Sequence, residues 1–191
     1  TLPIFMRVLL PEDFGALALA QIYGVIVGSL ASFGMASGYN RYYFEYCEDL
    51  RKTGQLFFTT IGFVFVLSIV ILLLTLIFQS SLGKIILQSD NRSELLIWAL
   101  AGTLLINLRL FFLTYLRNVE RPKQYVMNTV VFGFMNLFFS IYFVIVGKAG
   151  VIGVLYGQVL ASSLILLALL VQFFRELPVA WSTPMLKAAL R

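Results

Sequence analysis

Arg109 is the only formal charge in residues 95–116, LLIWALAGTLLINLRLFFLTYL, an otherwise apolar run. A guanidinium stays protonated at any physiological pH. Holding one among apolar helices costs a few kcal/mol or more, so such a residue is a functional-site expectation. Its neighbours one helical turn away are Leu105, Ile106, Phe112 and Leu113, none able to pair with it, and Asn107 points almost the opposite way. The partner must be a carbonyl of another helix, water or an anionic ligand. The planar fork of donors suits phosphate through paired hydrogen bonds. The competing reading is snorkelling toward the nearer interface. Arg109 lies eight residues from Arg117, about 12 Å along a helix, and from that depth the side chain escapes only in part. A cavity-facing Arg109 is therefore the stronger of the two readings.

Other polar groups in apolar runs are sparse. Asn128 and Asn136 are eight apart and share a helix face, and Ser140 follows one turn later. Groups so placed either hydrogen-bond between helices, the plainer reading, or line a hydrophilic cavity. Arg41, in GYNRYYFE, and Arg7, in FMRVLLPEDFG, are first of all interfacial anchors and second a continuation of a positive path. The candidate binding set is Arg109, Arg41, Arg7, Asn128 and Asn136.

No enzyme constellation accompanies them, and no catalytic residue is expected. The nine acidic residues lie in loops or at the ends of apolar runs. Glu45, Glu48 and Asp49 cluster, but beside Arg51 and Lys52, as in a solvated charged loop. Histidine is absent, which removes His-based metal sites, Ser-His triads and His proton relays. The single cysteine, Cys47, excludes an intramolecular disulfide. Neither metal nor cofactor is implied.

The elements that must position these residues are membrane helices. The chain has 191 residues, 60% hydrophobic and 12% charged, against about 25% charged in ordinary globular domains. Charge-free runs cover residues 14–40, 53–83, 124–147 and 149–174. Each exceeds the length of about 20 residues that crosses a bilayer. With Arg109 tolerated, 95–116 is another. Residues 1–10 read as the end of a first span. The expected fold is an all-α polytopic transmembrane bundle with spans at about 1–10, 14–37, 54–79, 95–116, 124–146 and 151–174. The alternating loops carry nine Lys/Arg on one side (residues 41, 51, 52, 117, 121, 123, 175, 187, 191) and four on the other (7, 84, 92, 148). The richer side is cytoplasmic by the positive-inside rule, which places 175–191 there. The net charge of +5 thus reflects loop bias rather than a nucleic-acid surface. Tyr39, Tyr42, Tyr43, Phe44 and Tyr46 read as a loop of aromatic anchors at headgroup level. Gly24, Gly28 and Ser32, and Gly153, Gly157 and Ala161, recur at the four-residue spacing of close helix packing. The chain opens at Thr1 without methionine and ends in PMLKAALR, and both ends read as those of a fragment.

Several strings together resemble a family. RVLLPEDFGALALA is similar to the end of span one and start of span two in bacterial oligosaccharide flippases of the O-antigen type, within the multidrug/oligosaccharidyl-lipid/polysaccharide superfamily. GMASGYNRYYFEY resembles their span-two exit. LRNVERPKQYVMNTVVFGFMNLFFSIYFVIVGKAGVIGVLYGQVLAS resembles their spans four to six, with order and spacing more telling than any one motif. The resemblance implies the N-terminal lobe of a two-lobe transporter in the bacterial inner membrane, with the N-terminus of the full-length protein cytoplasmic. Residues 175–191 would lead to the second lobe. It implies flipping of polyprenyl-pyrophosphate-linked oligosaccharide repeat units for lipopolysaccharide or related polysaccharide biosynthesis by alternating access. Arg109 would then meet pyrophosphate, and the Asn128–Asn136 face sugar hydroxyls. H+ or Na+ is the implied coupling ion, and other polysaccharide assembly proteins are implied partners. The cation-coupled members often use an intramembrane acid, and these spans contain none. A drug/cation antiporter of the same superfamily and a non-transport membrane scaffold are the competing readings.

Overall fold

The computed structural model describes residues 11–32, 34–88 and 92–177. Arg7, the expected first span at 1–10 and residues 178–191 lie outside the described residues. The regular structure described is entirely helical: α1 (Pro11–Ser32), α2 (Met35–Tyr46), α3 (Leu50–Ile77), α4 (Gln79–Leu82), α5 (Glu94–Asn118), α6 (Pro122–Ile141) and α7 (Gly150–Glu176). Helix α4 runs into a π-helical turn, Gly83–Leu87, and α6 into another, Tyr142–Val146. Among the described residues, five segments are long and apolar enough to cross a membrane: Glu12–Ser32, Leu50–Ile77, Glu94–Asn118, Pro122–Val146 and Gly150–Glu176.

Local chemistry sets the boundaries. Asp49 caps α3, its Oδ1 accepting from the backbone N–H groups of Arg51 at 3.0 Å and Lys52 at 3.3 Å. Pro122 opens α6, where its missing N–H costs nothing. The residues expected as a single second span, 14–37, divide at Gly34, whose φ of 71° is a left-handed conformation that glycine adopts without strain. The chain then restarts as α2.

Helix α2 overturns the expected aromatic loop. Tyr39 is fully buried and Tyr43 nearly so, while Phe44 stays exposed. Tyr39 and Tyr43, one turn apart, enter a cluster whose rings come from four helices. Phe57 of α3 lies 5.1 Å from Phe112 of α5 and 5.4 Å from Phe173 of α7, and Tyr43 meets Tyr115 edge-on at 6.1 Å. Edge-to-face pairs add stability beyond the area they bury, so this packing competes successfully with the headgroup region for the two rings. Burial raises the pKa of the Tyr39 hydroxyl well above the usual tyrosine range, and it stays neutral.

Helix α5 is the hub. It packs chiefly on α1 and α7 and also on α3, whereas α6 lies mainly against α7 and meets α5 little. Over half of the apolar window of α5 is buried (56%), against 11% for α6. The glycines explain the close approaches, as their spacing predicts. A Cβ on Gly24 would come within 3.0 Å of the Ala99 carbonyl oxygen, and one on Gly28 within 3.0 Å of Thr103 Cγ2. A Cβ on Gly157 would collide with the backbone of Ser140. These contacts set α1 against α5, and α7 against α6.

Candidate functional site

Arg109 sits where the hub helix faces α6. Only 5% of its surface is exposed. Its Cζ lies 3.9 Å from the centroid of the Phe132 ring. Nη1 donates to Asn128 Oδ1 at 3.2 Å. The cation is thus held by a ring face and one neutral acceptor, with no ion pair to a carboxylate among the described residues. Its Nε is buried and makes no hydrogen bond. Asn128 lies one turn before Phe132, so the side chain leans toward the α5–α6 connection but ends on an amide inside the bundle.

The structure therefore brings two of the five candidates together, Arg109 and Asn128, and adds Phe132, which the sequence had not singled out. Asn136 lies two turns further along α6, with a buried Oδ1 that has no partner. Ser140, one turn beyond, donates to the carbonyl of Val154 on α7 at 3.3 Å. Arg41 is exposed on α2, over the ring of its neighbour Tyr42 at 5.7 Å. Among the described residues Arg41 and Arg109 share no partner.

A cleft of 280 Å³ opens beside this site between α6, α7 and the end of α5, and Asn128 lines it with Gln124 and Gln172. Its mouth is polar. Gln172 Nε2 donates to Gln124 Oε1 at 3.3 Å and to Glu176 Oε1 at 2.9 Å. Arg121 Nη1 donates to Glu176 Oε2 at 2.6 Å. A line of amides thus runs from the Arg121–Glu176 pair inward to Asn128, the residue that holds Arg109.

A second polar region lies across α5, and sequence reasoning missed it. A groove of 380 Å³ is lined by Gln21 and Ser29 of α1, Thr103 and Asn107 of α5, and Gln158 of α7. Asn107 Nδ2 donates to the Gly28 carbonyl at 3.0 Å. The opposite directions of Asn107 and Arg109 are visible in the sequence. The meeting of Asn107 with Gln21 and Gln158 is not, because the three stand on different helices and no local pattern gives their relative register.

The fold and these sites define a polytopic, all-helical membrane bundle that encloses a cation. Residues 1–189 match the sequence model of the family described as polysaccharide biosynthesis protein. The chain belongs to that family. Its fold is similar to that of the crystal structure of MATE in complex with Br-NRF, with a TM-score of 0.72 at 20% identity. That similarity covers 98% of this chain and 46% of the other, so this chain spans about half the length of the solved structure it matches. None of the curated proteins matches the chain.

Proposed function

We propose that the full-length protein moves polyprenyl-pyrophosphate-linked oligosaccharide repeat units from the cytoplasmic to the outer leaflet of a bacterial plasma membrane. In this reading Arg109 binds the pyrophosphate. Membership of a polysaccharide biosynthesis family supports the substrate class. A fold shared with MATE along 46% of that protein's length supports a two-lobe transporter, of which this chain would be the first lobe.

The observation that carries the reading is the incomplete satisfaction of Arg109. A permanent cation is enclosed among membrane helices, with a neutral amide on Nη1 and nothing on Nε. Asn128 offers a single neutral acceptor, whereas a phosphate would bring opposite charge and paired acceptors to the guanidinium. A phosphate reaching the guanidinium would therefore outcompete Asn128. The sparse contact between α5 and α6 makes that exchange feasible, because little packing holds α6 to the hub. The cleft that Asn128 lines with Gln124 and Gln172 supplies an approach for the anion. Asn136, with its unbonded Oδ1, is assigned to a hydroxyl of the head group, and Arg41 and Arg7 to headgroup-level attraction of the anion.

The test uses cells lacking their own flippase. Full-length protein carrying Arg109→Ala, at wild-type membrane abundance, should fail to restore surface polysaccharide, and the lipid-linked repeat should accumulate. Full restoration by that variant removes Arg109 from the mechanism.

A further inference from the structure

The groove on the α1 side of α5 has the makings of a second binding site, of different chemistry. We propose that it reads the uncharged sugar rings of the transported head group, separately from the Arg109 site. The identity of the ligand rests on the flippase reading above.

The first argument is hydrogen-bonding capacity. Ser29 Oγ donates to the Ile26 carbonyl at 2.7 Å and Thr103 Oγ1 to the Ala99 carbonyl at 2.9 Å, so both hydroxyls retain acceptor capacity. Asn107 uses its Nδ2 on Gly28 and keeps Oδ1 free. Gln21 and Gln158 make no hydrogen bond among the described residues, though both line the groove. Unbonded amides facing hydrocarbon would cost several kcal/mol each. Within a bilayer such groups are favoured only toward water, a polar ligand or another part of the full-length protein.

The second argument is construction. Gly102 of α5 lies directly under Gln158. A Cβ there would come to 2.8 Å from Nε2 and 3.1 Å from Cδ. A side chain there would push the amide from its place at the groove wall, a shift the flexible Gln158 makes at small cost. The volume of 380 Å³ falls within the range of about 300–1,000 Å³ usual for small-molecule sites.

The third argument is selectivity. The groove is lined by amides, hydroxyls and apolar side chains, with no charged residue. A primary amide offers a donor pair and an acceptor side by side, which matches adjacent sugar hydroxyls and gives phosphate no special advantage. Asn107 and Arg109 are two residues apart, about 200° around the helix. The thickness of α5 thus separates this groove from the Arg109 site, and each can be lost without the other.

The experiment uses full-length protein with Cys47→Ser, carrying Ser29→Cys as reporter, and a membrane-impermeant maleimide. Labelling is compared in cells that accumulate the lipid-linked repeat and in cells that make only the sugar-free polyprenyl phosphate. We expect labelling at least threefold slower when the sugar-bearing lipid is present. That protection should be lost in Gly102→Ala, and again in Gln158→Leu, which introduces no clash. Equal rates in the two cell types, protection that survives Gln158→Leu, or a reporter closed to reagent in both cell types overturns the proposal. Protection of Ser29→Cys together with normal export by Arg109→Ala would keep the groove and remove the assigned role of Arg109. Lost export by Arg109→Ala with no protection at Ser29→Cys would do the reverse.

Discussion

Two residues apart on α5, Arg109 and Asn107 occupy opposite kinds of environment. On the α6 side the cation is enclosed, stacked on Phe132 and bonded to Asn128. On the α1 side the groups are neutral and the groove is open, with the Gln21 and Gln158 amides unbonded among the described residues. The same helix supports both because it is the hub, and each flank meets a different pair of neighbours. The contrast teaches that charge and readiness to bind need not coincide. The charged side must part helices before it can take a ligand, whereas the neutral side already presents unbonded groups to whatever enters.

Substitutions can break this contrast in graded steps. The largest effect is expected from Gly157→Val. Its side chain would drive α7 off the Ser140 backbone and carry α6, with Asn128 and Phe132, away from Arg109. Overpacking against backbone costs about 3 kcal/mol or more, so the yield of folded protein in detergent should fall sharply. Asn128→Leu comes next. It removes the hydrogen bond to a buried cation, a loss of about 2 kcal/mol, visible as a lowered Tm while accessibility of the α1 groove stays unchanged. Phe132→Leu removes the ring face and should cost about 1 kcal/mol, whereas Phe134→Leu, on the exposed face of the same helix, should leave Tm in place. The smallest effect belongs to Arg121→Gln. Its ion pair with Glu176 is more than a third exposed on the arginine side, and such pairs contribute about 0.5 kcal/mol after solvent screening. A loss of several kcal/mol there would mean that the cleft mouth, and not the ring stack, holds the Arg109 side together.

Much of this architecture is legible in the sequence, for physical reasons. Apolar runs of bilayer length mark α1, α3, α5, α6 and α7, since covering the backbone in lipid leaves few other solutions. The spacing of Gly24 and Gly28, and of Gly153 and Gly157, announces close packing, though not which helix lies opposite. The break at Gly34 is less legible, because an isolated glycine in an apolar run can equally continue a helix. The string MASGYNRYYFEY has the composition of an interface, and only the rings waiting on α3, α5 and α7 draw Tyr39 and Tyr43 inward. The own-helix neighbours of Arg109 correctly show that its partner lies elsewhere. Finding Asn128 and Phe132 requires the register of α6 against α5, which no local pattern encodes. The α1-side groove is the extreme case, assembled from polar residues of three helices spread from Gln21 to Gln158.

The central claim is that Arg109 takes the phosphates and the opposite groove does not. The most direct measurement is the affinity of purified full-length protein for farnesyl pyrophosphate, which carries the charge and no sugar. Wild-type and Gln158→Leu proteins should bind it equally, and Arg109→Gln about thirtyfold more weakly, the equivalent of roughly 2 kcal/mol for lost hydrogen bonds to a charged group. Equal binding by Arg109→Gln and wild type, or a loss confined to Gln158→Leu, would contradict the account.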